Sequence, residues 1–462
     1  MKQLLVVFFC CVANLATAQK VVYQHTYTKD DALTKYSRNY RISNQFKEEI
    51  VIIHGNKKGA SVSVFNDDVS QPTQFTVPGI SGSDFSKYVG SGIQGSTYHL
   101  YFANNGYRTL GVISVDVATQ TMHDTTLSQQ LPDNERFVLS FMHQNKCWLM
   151  TTTYETSMLN FYALEDTELR GKHTVDFAEY SFHTKGDVLV NRKSLDQLFK
   201  SFKPVLIDYN IPQLPGNVQA DFKVYLHGNE LYITSDRQKG TTKVMVVDLN
   251  TFSSHVANRP YAEITCGSAE TQRGVSYLHK GRLFQLHICN MAMDLSAYTI
   301  ADTTLIKSYR VYNNQALAFN NTPVIQKGVN STKRLNDITT KQLLKKINDN
   351  SLFLLINEMN DSAIVSLGSY FFEVSRTGVI DTYSSMGFRS KKLRQISFNS
   401  VFNSNTLEHI PGTLNSNRLA YEKTISLLDE NYLHINTFKL YNKIYLAYYV
   451  KKSKRYIIKE FK

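Results

Sequence analysis

Three groupings in this 462-residue chain carry residue types and spacings that could do chemistry. The first, Gly90-Ser91-Gly92-Ile93-Gln94-Gly95, has G-x-G-x-x-G spacing. A dinucleotide site needs a helix after such a loop, so that the helix N-terminus meets the pyrophosphate. Here "STYHLYF" follows, which is strand-like, and no acidic residue follows in a βαβ unit. The motif therefore reads as a loop between repeated modules. The second, His287-Ile288-Cys289, puts an imidazole and a thiol on one strand face, with His279 and Cys266 nearby in sequence. Zinc wants four converging ligands, and no C-x-x-C or H-E-x-x-H anchors them, so core filling is the expectation. The third, Ser384-Ser385-Met386-Gly387, lacks the first glycine of a nucleophile elbow. A glycosidase needs two carboxylates about 5–10 Å apart, and 39 acids offer no way to choose a pair. No catalytic residue, metal or cofactor is expected.

Charge is the uneven feature. The chain holds 51 Lys and Arg against 39 Asp and Glu, a net of +12. Residues 320–462 carry 21 basic against 11 acidic residues, and residues 1–319 carry 30 against 28. The basic residues cluster in "RSKKLR" (Arg389, Lys391, Lys392, Arg394) and in "KKSKR" (Lys451, Lys452, Lys454, Arg455). Such clusters attract anionic partners: an acidic protein, a polysaccharide or an envelope surface. Equally, lysines in a turn solvate a strand pair and discourage edge pairing.

The compartment follows from the first residues. Lys2, the apolar run Leu4 to Val12 and the Ala16-Thr17-Ala18 box form a secretory signal pattern over residues 1–18. The mature chain, 19–462, is then exported, periplasmic or secreted, where nucleic acid is not an expected partner. No later run of about 18 apolar residues suggests a membrane helix. Short strands and a terminal Lys462 argue against an outer-membrane barrel. Cys147, Cys266 and Cys289 remain after export. They allow one disulfide with one buried thiol, or no disulfide.

The elements that position these residues recur. "FKVYLH-GNE-LYITSD-RQKGTTK-VMVVDLNT-FSSHV" (222–256) reads as four strands with turns at Gly228-Asn229 and Arg237–Gly240. Related copies begin at Glu48, Ser96, Asn145, Gly186, Gly281, Asn350 and Asn442. Val115–Thr119 of the Ser96 copy matches Val247–Thr251. Third strands end near Asp67, Asp116, Glu165, Asp208, Asp248, Ala301, Glu373 and Lys459. A four-stranded unit of about 40–50 residues is the signature of a propeller blade.

The pattern resembles a secreted β-propeller of the broad WD40-like or Kelch-like class, without the Gly-His and Trp-Asp signatures of the one or the paired glycines of the other. The expectation is an all-β, single-domain propeller of about eight four-stranded blades (seven to eight), seven if the Gly186 copy is not genuine. The strand-like Val21–Tyr27 would complete the last blade, with insertions near 311–340 and 385–430. Helices are few: Leu195–Phe202 and Thr340–Asn348. The favoured function is a non-catalytic binder of a macromolecule. The other reading is a secreted hydrolase or lyase with its site at the axial mouth.

Overall fold

The computed structural model describes residues 19–27, 38–44, 46–55, 59–78, 87–127, 129–180, 182, 193–218, 220–267, 271–328, 332–359, 361–374, 391–414, 424 and 431–461. The signal segment, Arg389 and the 186–191 part of the Gly186 copy lie outside them. The fold is all-β, a β-propeller of seven blades, each built on an antiparallel meander. Two α-helices occur among the described residues: α1 (Leu195–Ser201) and α2 (Thr340–Asn348). The chain forms two compact units, one within residues 1–178, 195–197 and 415–462, the other within 179–194 and 198–414.

The first unit holds four sheets. Sheet I has the strands Arg38–Asn44, Glu49–Gly55, Gly59–Phe65 and Thr73–Pro78. Sheet II has Lys87–Gln94, Thr97–Ala103, Leu110–Asp116 and Thr121–Thr126, and sheet III has Glu135–His143, Lys146–Thr153, Met158–Glu165 and Glu168–Asp176. Sheet VII joins Tyr432–Leu440, Lys443–Val450 and Arg455–Phe461 to the N-terminal strand Gln19–Thr26. The pairing expected of the N-terminal strand is present, antiparallel from Gln19 opposite Phe461 to Thr26 opposite Arg455.

Strand position decides burial. Met158–Glu165, third in sheet III, is buried along nearly all its length, whereas the fourth strand, Glu168–Asp176, is mostly exposed. Middle strands covered on both faces read as continuous apolar runs, and exposed edge strands carry polar residues. The acidic residue that recurs after the third strand is a turn device. Asp116 Oδ1 accepts the N–H groups of Ala118 (2.8 Å) and Thr119 (2.9 Å). Asp248 does the same for Asn250 (2.7 Å) and Thr251 (3.1 Å). A short carboxylate bonding its own following backbone starts the turn to the fourth strand.

The G-x-G-x-x-G segment is not a loop between modules. It forms the latter half of the first strand of sheet II and the turn after it. A Cβ at Gly90 would stand 2.6 Å from the Cys147 Sγ of sheet III, so the glycine permits close approach of two sheets. Cys147 is free and buried.

The second unit holds three sheets. Sheet IV has Phe222–His227, Glu230–Ser235, Thr241–Asp248 and Ser254–Pro260, with the two-residue strand Val205–Leu206 added in parallel. That short strand is all that the described part of the Gly186 copy supplies, and the count is seven. Sheet V has Arg273–His279, Arg282–Ile288, Ala292–Thr299 and Leu305–Tyr312. A disulfide joins Cys266 to Cys289 at the end of its second strand.

Sheet VI departs from the expected register. Ser362–Val374 is one 13-residue strand rather than two short ones, so Glu373 ends the second strand. The third strand is Lys391–Asn403, and the fourth, Ile325–Lys327, comes from upstream in the chain and pairs with it. Helix α2 opens with a capping box between Thr339 and Gln342 and buries Leu343, Leu344 and Ile347.

Two outcomes are expected. Gly90→Ala should cost about 1–3 kcal/mol by overpacking. In a Cys147→Ala background that cost should shrink, and a double-mutant cycle from denaturant unfolding checks it. His54 is buried against Tyr456, its ring centroid 4.4 Å away, with no partner at either nitrogen. Burial first, with His434 and His25 adding, lowers its pKa from 6.5 to about 3. In that window the unfolded chain binds a proton that the folded chain does not. Stability therefore falls as pH falls, by about 1.4 kcal/mol per pH unit from this residue. His54→Phe should flatten the slope in unfolding curves taken from pH 7 to 4.

Candidate anion-binding site

The "KKSKR" cluster forms the turn of the last hairpin, where Val450 pairs with Arg455. Three backbone bonds hold it. Lys451 N donates to Asn431 O (2.9 Å), Lys454 N to Lys451 O (3.3 Å), and Tyr27 N to Lys454 O (2.9 Å). Lys454 takes a left-handed conformation, φ +52°. Lys451 and Lys452 are exposed, while Lys454 and Arg455 are half-buried. Arg455 Nε is buried without a hydrogen-bond partner.

Elsewhere in the fold, surface lysines find carboxylates: Lys146 with Glu165, Lys280 with Glu358, Lys307 with Glu408, and Lys443 with Glu460. Glu358 shows the effect. His279 first, then Lys280, hold its carboxyl down to about 2. Among the described residues, no such pair is made by Lys451, Lys452, Lys454 or Arg455. These four basic residues gather on one pinned turn and have no acidic partner among the described residues, a local concentration of positive charge.

The other basic cluster lies in the second unit. Lys391, Lys392 and Arg394 begin the third strand of sheet VI rather than lying in a loop. Lys392 sits opposite Glu373, and Arg394, half-buried, opposite Phe371.

Buried acids are committed to structural partners. Asp196 takes Arg136 Nε (2.8 Å), Thr152 Oγ1 (2.8 Å) and Glu155 N (3.1 Å). Glu135 takes Tyr162 Oη, Lys172 Nζ (both 2.8 Å) and Thr151. Asp236 takes the buried Lys223 Nζ (3.0 Å), Thr242 Oγ1 (2.8 Å), Tyr261 Oη (2.9 Å) and Ser276 N (2.9 Å). Burial raises the Asp196 and Asp236 carboxyls, but their cations and donors outweigh it and hold both below the usual range. Groups so held act as fixed anions rather than as proton carriers near neutrality. The candidate metal cluster is likewise absorbed. Cys266 and Cys289 are joined to each other, and His287 Nδ1 lies 2.7 Å from Ala262 O, with its ring stacked on Tyr261.

Residue types alone did not reveal the Lys223–Asp236 pair. Its signal is a lone lysine in the otherwise apolar strand "FKVYLH", and a lysine buried at 2% exposure requires a partner.

No protein-family model and no curated protein matches the chain. Solved structures with similar folds include a prolyl endopeptidase (7% identity, TM-score 0.35, covering 91% of this chain and 55% of that one). Others are the WD40 domain of SCAP from fission yeast (6%, 0.31, 93% and 85%) and prolyl oligopeptidase B from Galerina marginata (10%, 0.30, 94% and 47%). The chain spans about half the length of the two peptidase chains. Identities and scores this low carry no argument about activity, ligand or partner.

Proposed function

We propose that the chain is an exported, non-catalytic β-propeller that binds an anionic macromolecular partner through basic residues of its C-terminal third. The observation that carries this reading is the turn Lys451–Arg455, whose backbone is tied to Asn431 and Tyr27 and whose cations have no ion-pair partner among the described residues. A preformed cationic turn needs little ordering on association, so its Coulomb attraction goes into binding. Lys391, Lys392 and Arg394 add charge from the other unit, and Arg389 lies next to them in sequence. Export is supported by the signal pattern of residues 1–18 and by the Cys266–Cys289 bridge, since disulfides persist in oxidising compartments. An acidic polysaccharide, an envelope surface and an acidic protein all present the complementary charge.

The test is retention on immobilised heparin as salt is raised. Replacing Lys451, Lys452 and Lys454 together by Gln should move elution to clearly lower salt. Substitutions at the exposed Lys451 and Lys452 change stability by no more than about 0.5 kcal/mol each, and an unchanged melting temperature of the triple variant, which includes the half-buried Lys454, separates binding from folding. The triple variant of Lys391, Lys392 and Arg394 to Gln should show a smaller shift. Elution of both variants at the wild-type salt concentration would overturn the proposal.

A further inference from the structure

The N-terminal strand Gln19–Thr26 is held to sheet VII along one edge only, as its outermost strand. Unlike the other three strands of that sheet, it has no fully buried residue. Its inward anchors are the half-buried Val22 and Tyr23 and, just past its end, the buried Tyr27. A segment with so few buried contacts opens at a fraction of the free energy of global unfolding.

A group of imidazoles lies behind this strand. His54, in the second strand of sheet I, is 3% exposed and has no hydrogen-bond partner at either ring nitrogen. Tyr456 of sheet VII covers it at a centroid distance of 4.4 Å, and Tyr27 meets it edge-on at 6.3 Å. On its other side Tyr27 meets His25 of the N-terminal strand at 4.6 Å. His434, in the first strand of sheet VII, stands 6.4 Å from His54. Within sheet I the cross-strand neighbours of His54, Asn39 and Ser61, are uncharged. Asn39 Nδ2 donates to His434 O (3.2 Å), and the Arg41 guanidinium donates to Thr437 O, so both side chains tie sheet I to sheet VII. The remaining charged neighbours belong to the basic turn, where Lys454 O accepts the Tyr27 N–H and Arg455 pairs with Thr26. The ionisable groups gathered here are therefore bases and tyrosines. Among the described residues no carboxylate forms an ion pair with His54.

We propose that the N-terminal strand is an acid-released latch, in which His54 gains a proton only when Gln19–Thr26 leaves sheet VII and takes Tyr27 off the imidazole. The direction follows from the protonation states. With the strand in place, burial first, then His434 and His25, hold His54 down at about 3. Once water reaches the ring it regains an ordinary value of about 6.5. Between those values the open form binds a proton that the closed form does not, so each unit of acidification favours opening about tenfold. Any charge gained by His25 or His434 adds repulsion of the same sign. Opening also removes the Tyr27–Lys454 bond that pins the basic turn. The latch goes beyond the binding function proposed above and does not rest on it, because no anionic partner enters the argument.

The test is backbone hydrogen exchange of the purified chain between pH 7 and 5, read by mass spectrometry and corrected for intrinsic rates. Peptides covering 19–27 should be less protected than those of sheets II and III at every pH. Their protection should fall about tenfold per pH unit below about pH 6. His54→Phe should abolish that fall, while sheets II and III keep a pH dependence of their own, because burial also holds His99 and His143 below the usual value. Should His54→Phe fold poorly, His54→Gln, polar and without a proton to gain, takes its place. Protection of 19–27 that ignores pH, protection equal to that of sheets II and III throughout, or a fall that persists in a folded His54 variant would each overturn the proposal.

Discussion

The pairing of Gln19–Thr26 with Arg455–Phe461 is the contact on which sheet VII depends. Without it, Arg455–Phe461 would present a row of open backbone donors and acceptors, the template that drives edge-to-edge association. The contact joins residues distant in the chain, such as Lys459 and Gln19, 440 positions apart. Closing a flexible loop of that length in one step would cost about 5 kcal/mol, so the strand is expected to dock after other sheets have shortened the effective loop. The same pairing reaches the candidate site. Tyr27 N bonds to Lys454 O, and the Tyr27 ring packs edge-on against Tyr449 at 5.8 Å. The N-terminal strand thus completes a sheet and fixes the backbone that displays the lysines.

Most of the architecture was readable because the turns are written in short polar codes. Asp116 and Asp248 bond the backbone at equivalent positions, which is why "VDVAT" and "VDLNT" look alike. Where no such code exists, the reading slipped. Gly368-Ser369 inside Ser362–Val374 looks like a turn, so one long strand read as two, whereas the glycine permits close approach of Ile396 O, 2.0 Å from where a Cβ would stand. The fourth strand of sheet VI is three residues long and precedes its sheet in the chain, and no local pattern announces an out-of-order strand. Gly90 looked like part of a loop because glycine signals turns more often than close packing. At the basic clusters, charge and hairpin were legible. That Lys451–Arg455 make no ion pair among the described residues was not, because pairing depends on residues distant in sequence.

The interior explains why surface charge is the informative quantity. Asp236 with Lys223, Asp196 with Arg136, Glu135 with Lys172, and Asp294 with Arg310 are close ion pairs in which at least one member is buried. Such pairs add little net stability, since desolvation offsets much of their attraction, yet removing one member costs about 3–5 kcal/mol. Asp236 ties two sheets together by taking both Lys223 of sheet IV and the Ser276 N–H of sheet V. Because each pair cancels within itself, the formal excess of +12 is carried by residues outside these pairs. Ten of those charges belong to residues 320–462, whose last hairpin holds its cations apart from any acid among the described residues.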